Sequence, residues 1–446
     1  MCGFLAGKDI SADLGQVIES MSYRGLPGYK GYKRFGKAGE YQFAHYSLPF
    51  VNLDPAVCIQ PINSNAPPAL FVGEIFNYTD FGYDTDIECA IEEFWKSGDT
   101  PFEKFHNFDG FWSFVTMYDG NIIAATDYLS QKPVYYRTDM EALASEIEVL
   151  VLLGNTTCDE VFMSNVLKWG YSPDPRTPWN EIKQIPPGCY YYKGVIHPYW
   201  NWNKVPTASC LLYDNLLTAT ELRLGGQREV ALLLSGGLDS TIIYGLIKQL
   251  GKTVTAVHVD NNEEDFANLA LHPGDTMHHV KLDHVTELEA IIVHQSPVDL
   301  GSVKPQIAMA KKLKELGFHA VITGDGADEL FGGYRRAKEY DSQMSDMFCE
   351  LPYYHLPKID RTMMRYTVET RSPFLAPSVC KYAMNTPYVK RMGEKVELKE
   401  AFGDLVPQKI LSRDKHPLKT EAIRKNPMDN RVALDRLWRS MGFTFL

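Results

Sequence analysis

Two short glycine-containing segments carry side chains that could bind a phosphorylated ligand and a metal ion. The first, Ser-Gly-Gly-Leu-Asp-Ser at 235–240, lies between an apolar run at 230–234 and a helical pattern at 239–250. Backbone N–H groups at the start of a helix bind anions, and the two glycines let the backbone approach phosphate oxygens. Asp239 would repel phosphate, so we predict that it holds a Mg²⁺ ion that bridges the carboxylate and the phosphates. The alternative is a glycine turn that only joins a strand to a helix.

The second segment, Gly-Asp-Gly-Ala-Asp-Glu-Leu-Phe-Gly-Gly-Tyr at 324–334, follows an apolar run at 320–323. Ligands of an open parallel sheet bind beyond the carboxyl ends of its strands, so both segments can face one nucleotide. Three carboxylates within five residues repel one another unless a cation intervenes, which makes Asp328 the predicted second Mg²⁺ ligand. Asp325 is then available to accept a proton from an amine nucleophile.

The third chemical signal is a cysteine at position 2. Removal of Met1 would leave Cys2 with both a thiol nucleophile and an α-amine base, the arrangement of N-terminal nucleophile hydrolases. A cysteine also occurs at this position by chance, so the other motifs of the N-terminal half must show whether Cys2 is a nucleophile.

The elements that must position these residues differ between the two halves of the chain. The predicted elements of the first half are strands at 3–7, 69–72, 111–118 and 121–126 and a helix at 86–96. Asp119-Gly120 between the last two strands is a strong hairpin signal, because both residues tolerate a positive φ. We therefore expect a mixed domain in which antiparallel sheet is prominent.

The second half alternates buried strands and helices. Its predicted elements are strands at 230–234, 254–259 and 320–323 and helices at 239–250 and 305–316. This order predicts right-handed βαβ units in a parallel sheet covered on both faces. Polar and small residues near 200–209 place the expected boundary between domains 1–205 and 206–446.

Composition favours a two-domain cytoplasmic protein. The chain has 446 residues, 45% of them hydrophobic and 23% charged, which suits two cores. A net charge of −11 argues against nucleic acid and anionic membranes as partners. Eight cysteines without a Cys-x-x-Cys pair or a secretory signal predict reduced thiols, and no apolar run is long enough to cross a bilayer.

These segments together resemble the asparagine synthetase family. Residues 368–375 (Val-Glu-Thr-Arg-Ser-Pro-Phe-Leu) resemble its Glu-x-Arg-x-Pro-Phe-Leu segment, residues 395–399 its Lys-x-x-Leu-Arg stretch and residues 413–415 its Arg-x-Lys. The N-terminal matches are Met1-Cys2-Gly3, Tyr23-Arg24-Gly25, Ala44-His45, residues 73–78 and Asp84-Thr85-Asp86. The resemblance implies an αββα N-terminal-nucleophile glutaminase domain followed by a parallel-sheet domain of the adenine nucleotide α-hydrolase type, with a pyrophosphate loop.

The resemblance also implies the role of each site residue. The expected nucleotide contacts are Leu234, Ser235, Gly236, Gly237, Leu238, Asp239, Ser240, Val257 and Gly324. Cys2 would form a thioester with glutamine, whose other groups would contact Gly73, Glu74 and Asp86. Lys395 would stabilise charge on the adenylate and the tetrahedral state. Glu369 and Arg371 fit either an ion pair between the domains or a substrate contact.

Two positions depart from the family pattern. Ser47 stands where the family has the arginine that binds the α-carboxylate of glutamine, and Arg24, Lys33 or Arg34 would have to replace that cation. Val72 stands where the family has an asparagine of the oxyanion hole. Loss of one oxyanion donor costs about 10²- to 10³-fold in rate.

The implied reaction is an ATP- and Mg²⁺-dependent adenylation of a carboxylate, by family analogy aspartate, followed by attack of glutamine-derived ammonia. The acceptor segment at 297–305 matches the family only in part. Three alternatives remain: a ligase that closes a lactam or isopeptide ring on another carboxylate, an ammonia-dependent enzyme with a weakened glutaminase domain, and a nucleotide-binding regulator without turnover. A homodimer is compatible with the sequence.

Overall fold

The structure is a computed structural model of the chain, and it describes residues 2–10, 13–26, 33–48, 60, 67–206, 209–225, 228–259, 264–282, 285–297, 300–333, 346–386 and 395–413. The strands are β1 Gly3–Lys8, β2 Lys33–Ala38, β3 Tyr41–Tyr46, β4 Leu70–Ile75, β5 Gly110–Tyr118, β6 Asn121–Thr126, β7 Tyr135–Arg137, β8 Ala142–Ala144, β9 Ile182–Gln184, β10 Cys189–Tyr192, β11 Val195–Pro198, β12 Glu229–Leu233, β13 Thr253–Val259, β14 Thr276–Val280, β15 Ala320–Ile322 and β16 Glu369–Arg371.

The helices alternate with strands mainly in the second half of the chain. They are α1 Leu14–Val17, α2 Asp86–Lys96, α3 Ile147–Val151, α4 Glu160–Trp169, α5 Leu212–Leu224, α6 Leu238–Gln249, α7 Glu264–Ala270, α8 Glu287–His294, α9 Leu300–Glu315, α10 Ala327–Phe331, α11 Leu356–Met364, α12 Pro377–Asn385, α13 Val396–Phe402 and α14 Gln408–Leu411. Within the described segments, no helix combines the length and apolar character that a membrane span requires.

The first half forms two antiparallel sheets, in the orders β2-β3-β1-β8-β7-β9 and β11-β10-β6-β5-β4. One apolar cluster, which contains Phe4, Phe43 and Val115, fills the space between the sheets. Helices α3 and α4 pack on the outer face of the first sheet, and α2 packs on the outer face of the second. This layering confirms the expected αββα arrangement.

The second half contains a parallel sheet in the order β14-β13-β12-β15-β16. Every pairing in it is parallel, including Leu232 with Ile322 in the centre. The predicted parallel α/β architecture is therefore confirmed. Because β12 and β15 are neighbours, the two segments that follow them meet at one edge of the sheet.

Most predicted element bounds agree with the structure. Helix α2 spans the predicted 86–96, and the predicted hairpin turn has positive φ at both Asp119 and Gly120. Helix α9 begins at Leu300, five residues before its predicted start at Pro305. The extra turn forms because Val303 is buried in the same apolar cluster as Ile307, and this packing outweighs the hydrogen bond that proline cannot donate.

The two halves share a continuous interface. Trp112 of the first half and Leu216 of the second belong to one apolar cluster. Buried charges cross the interface as well: Asp360 of α11 accepts from Arg24 at 2.5 Å and from Lys132 at 2.7 Å. Breaking such a network leaves buried charges uncompensated, so it fixes how the halves dock.

Candidate active site

The predicted phosphate loop lies between β12 and α6. The Ser235 and Ser240 hydroxyl oxygens are 3.0 Å apart, and the Gly237 N–H donates to Ser235 Oγ at 3.2 Å. Gly236 has a φ of +72°, and a Cβ there would lie 2.6 Å from the Ala267 backbone nitrogen. Gly237 caps α6 without a side-chain hydrogen bond, so the backbone N–H groups of the first turn can bind an anion.

The second acidic loop contacts the first one directly. A Cβ at Gly324 would lie 3.1 Å from both Asp239 Cβ and the Ser240 nitrogen. Glycine at this position therefore lets the two loops approach each other at the end of the sheet. Two further predicted nucleotide contacts, Leu234 and Val257, are fully buried beside this edge, and Leu234 N donates to Val257 O at 3.1 Å. Leu238 is the first residue of α6.

Lys395 joins the two loops. Its ammonium lies 2.5 Å from Asp239 Oδ2 and 2.5 Å from Asp328 Oδ1. Burial lowers the pKa of Lys395, but the two carboxylates outweigh that effect and raise it above its usual value. The residue stays charged at any physiological pH. The two predicted metal ligands thus reach a common cation.

Gly333 is a structural requirement of this cluster that the sequence did not reveal. A Cβ at this position would lie 1.9 Å from Asp328 Oδ1 and 2.4 Å from Lys395 Cε. The available signal was the glycine pair that ends the second acidic segment. Lys395 itself has a φ of +53° at the start of α13, a backbone conformation that residues other than glycine rarely adopt.

The donor set fits Mg²⁺ bound together with a nucleotide. Asp239 and Asp328 each leave about a fifth of the side chain exposed. Mg²⁺ in nucleotide sites takes one or two carboxylates and completes its shell with phosphates and water. The described residues contain no group of three or more His, Cys, Asp or Glu that could hold a metal ion.

Asp325 lies at the inner end of the same loop and lines a small cavity of about 20 Å³ between the domains. Lys132 of the first half and Ser372 of the second also line this cavity. The Ser372 hydroxyl donates to the Asp325 carbonyl at 2.5 Å. Burial raises the pKa of the Asp325 carboxyl, and a raised pKa brings a carboxylate closer to the range useful for accepting a proton.

Cys2 lies before β1 and packs against the apolar cluster between the two N-terminal sheets. The Leu48 N–H donates to its Sγ at 3.5 Å. Burial raises the pKa of the Cys2 thiol, so attack on an amide needs a base to remove its proton. Met1, on which the predicted α-amine base depends, lies outside the described residues.

The predicted glutamine contacts form an acidic pocket that reaches into the second half of the chain. Glu74 Oε1 lies 2.6 Å from Arg371 Nη2, and Arg371 Nε lies 2.9 Å from Glu369 Oε1. Burial raises the pKa of Glu74 and brings that of Asp86 to about 7. Gly73 has a φ of +132°, and a Cβ there would lie 2.0 Å from Phe111 O. Of the two interpretations of Glu369 and Arg371, the structure shows the ion pair between the domains.

The three cations that could replace the family's arginine differ in their burial and in their ion pairs. Arg24 is excluded, because it is 1% exposed and pairs with Glu146 and Asp360. Lys33 pairs with Glu19 at 2.9 Å. Arg34 has no ion pair within the described residues and lies opposite His45 in the β2–β3 ladder.

Ser47 and Val72 are both buried near this pocket. The Ser47 hydroxyl contacts His45 Nδ1 at 3.0 Å, and Arg34 shares the sheet face of His45 because directly paired residues of antiparallel strands point the same way. Val72 is 1% exposed within the apolar cluster between the sheets. It supplies no side-chain donor for an oxyanion.

The fold and the paired sites define a two-domain enzyme that combines an amidotransferase-type N-terminal domain with a nucleotide-binding parallel sheet. A family model described as "Asparagine synthase" matches residues 211–348 and 342–434, and one described as "Glutamine amidotransferase domain" matches residues 1–200. The chain belongs to the asparagine synthase family. This confirms the resemblance inferred from the motifs and the predicted enzyme class, an ATP-dependent ligase.

Individual relatives match along nearly the whole chain. The root asparagine synthetase of Pisum sativum is 26% identical over 93% of this chain and 77% of its own length. Asparagine synthetase B of Escherichia coli K12 is 25% identical over 93% of this chain and 81% of its own length. A solved glutamine PRPP amidotransferase from B. subtilis overlaps 63% of this chain and 81% of its own, with 13% identity and a TM-score of 0.30.

Proposed function

We propose that this chain is a glutamine-dependent asparagine synthetase that adenylates aspartate with ATP and transfers ammonia from glutamine to the activated carboxylate. The observation that carries the proposal is the contact of Lys395 with both Asp239 and Asp328 at the ends of neighbouring strands. That arrangement suits the triphosphate of a nucleotide, because it places a fixed cation and two candidate metal-binding carboxylates together beside the first turn of α6.

Each residue has a defined task in this reaction. The first turn of α6, with Ser235 and Ser240, binds the phosphates. Bound Mg²⁺ would neutralise phosphate charge during attack of the carboxylate. Lys395 adds a fixed positive charge beside the phosphates, and Asp325 accepts a proton from the attacking ammonia.

Glutamine cleavage takes place in the N-terminal domain. Cys2 attacks the side-chain amide of glutamine, and the Gly73 N–H is available as an oxyanion donor. Glu74 and Asp86 bind the α-ammonium group, and Arg34 is the remaining cation for the α-carboxylate. We infer that ammonia passes between the domains away from bulk water, and Lys132 and Asp325 line a small cavity there.

We place the domain boundary between residues 205 and 206 and the protein in the cytoplasm. The boundary is supported by the last strand of the second antiparallel sheet, which ends at Pro198, and by α5, which begins at Leu212.

A second candidate is an ammonia-dependent enzyme whose first domain is a scaffold. Val72, which offers no side-chain donor for an oxyanion, favours it. One assay distinguishes the two: incubation with ATP, Mg²⁺ and aspartate plus either glutamine or ammonium, followed by measurement of pyrophosphate and asparagine. The main proposal predicts both products with either nitrogen source. Products with ammonium alone would select the second candidate, and pyrophosphate only with another carboxylate would overturn the choice of aspartate.

A further inference from the structure

Strand β16 (Glu369–Arg371) of the C-terminal sheet delivers a side chain into the acidic pocket of the N-terminal domain. The Arg371 guanidinium donates to Glu74 Oε1 at 2.6 Å, to Glu369 Oε1 at 2.9 Å and to the Arg223 carbonyl at 3.0 Å. Its side chain is 5% exposed. A guanidinium held by acceptors in three directions has one orientation, so it fixes the carboxylate that it contacts.

Arg371 occupies only one oxygen of Glu74. In the residues that the structure describes, Glu74 Oε2 makes no hydrogen bond, whereas Asp86 Oδ1 accepts from the Ile87 N–H at 2.9 Å. Glu369 is completely buried, and its Oε2 has no hydrogen-bond partner in the described part of the chain. Glu74 and Glu369 therefore share one guanidinium, and Asp86 adds a third carboxylate that interacts electrostatically with both. Two negative charges are in excess when all three are ionised.

A buried excess of negative charge favours a further cation that can donate several hydrogen bonds. The α-ammonium group of an amino acid has that charge and three donors. We propose that Arg371 is a positioning residue of the glutamine site: it takes one oxygen of Glu74 and thereby directs the other toward the α-ammonium group. This inference rests on the proposed function, because it takes glutamine as the substrate of this pocket.

Strand β16 and the residue after it are also hydrogen-bonded to the segment that forms the second acidic loop. The Arg371 carbonyl accepts from the Thr323 N–H at 3.0 Å, and the next residue, Ser372, donates to the Asp325 carbonyl at 2.5 Å. Adjacent residues thus contact the glutamine pocket and the acidic loop of the ATP site. The glutamine site is complete only when the two domains are docked, which ties glutamine binding to the assembled synthetase.

The test compares glutamine with glutaramate, the same amide without the α-amino group. Arg371→Met removes the guanidinium at similar length. We expect kcat/KM for glutamine to fall by about 100-fold, the loss typical of removing one partner from a buried charge pair, while kcat/KM for glutaramate changes by less than about threefold. Arg371→Lys should restore part of the preference, since an ammonium can still reach Glu74 but lacks the fork geometry. If Arg371→Met does not fold, the Lys variant carries the comparison with a smaller loss.

The matched control is Asp109→Asn, which neutralises a different ion pair between the domains, that with Arg223 at 2.8 Å. It should leave the preference for glutamine over glutaramate unchanged. Equal losses on both substrates in Arg371→Met would overturn the positioning role and leave the proposed glutaminase function standing. Wild-type protein that releases no glutamate from glutamine would overturn both.

Discussion

The two sites of this molecule are built in different ways. The ATP site draws Asp239 and Asp328 from two loops at the end of one parallel sheet, and Lys395 joins them from the same domain. The glutamine pocket takes Glu74 from one domain and Arg371, 297 residues later, from the other. The first site is therefore a property of one domain, whereas the second depends on how two domains dock.

The largest effect is expected from substitutions in the ATP site, because synthesis from glutamine and synthesis from ammonium both need it. Asp239→Asn and Asp328→Asn each remove a predicted metal ligand and one partner of Lys395. We expect pyrophosphate formation to fall by roughly 10³-fold or more with glutamine and with ammonium alike. Glu400→Gln, an exposed acid on α13, is the matched control and should keep wild-type activity. Retention of more than a tenth of the activity in either Asp variant would contradict the assignment of the metal site.

Loss of the cysteine nucleophile should affect one site alone. Cys2→Ala removes the predicted thioester, so glutamine-dependent asparagine formation should fall about 10³-fold, while ammonium-dependent formation stays near wild type. Cys189→Ala, at another half-buried thiol of the same domain, should change neither. Unchanged glutamine use in Cys2→Ala would refute the thioester mechanism.

The docking of the domains can be weakened without touching either site's substrate contacts. Asp360→Asn leaves Arg24 and Lys132 buried without their shared carboxylate, and we expect a loss of about 3–5 kcal/mol in the free energy of unfolding. Denaturant titration measures it. Glu103→Gln, which removes an exposed pair with Lys204, should cost less than about 1 kcal/mol. A similar small loss for Asp360→Asn would show that the buried network does not hold the domains together.

The smallest expected effect is a pH dependence confined to the glutamine site. Burial raises the pKa of Glu74 and brings that of Asp86 to about 7. Their charged forms bind an ammonium, so kcat/KM for glutamine should fall by about tenfold as the pH drops from 8 to 6. Hydrolysis of glutaramate, which has no ammonium, should change by less than about threefold over that range. An equal fall in kcat/KM for both amides would show that the titrating group is not one that binds the α-ammonium group.

The contrast between the sites also explains what the sequence could predict. The phosphate loop and the second acidic loop are contiguous motifs after buried strands, so their meeting at one sheet edge follows from the parallel topology. The helix at Asp86–Lys96 was predictable because Thr85 caps it and its apolar residues have helical spacing.

Other features depend on packing between distant segments. The requirement for glycine at 333 arises only where Asp328 and Lys395 converge, and the burial of Arg24 with Asp360 arises only where the domains meet. A motif shows which residue types are present but not which partner each charge finds. For this reason Arg24 remained a candidate for binding glutamine until the structure showed its two carboxylate partners.

The most direct test of two cooperating sites in one enzyme is the fate of the amide nitrogen. Wild-type protein is supplied with ATP, Mg²⁺, aspartate, glutamine labelled with ¹⁵N in its amide, and unlabelled ammonium at the same concentration, and the early asparagine is analysed by mass spectrometry. Internal transfer predicts that most of this asparagine carries ¹⁵N while the ammonium in solution is still almost unlabelled. Asparagine with no more ¹⁵N than the ammonium pool, or no asparagine at all, would contradict the account.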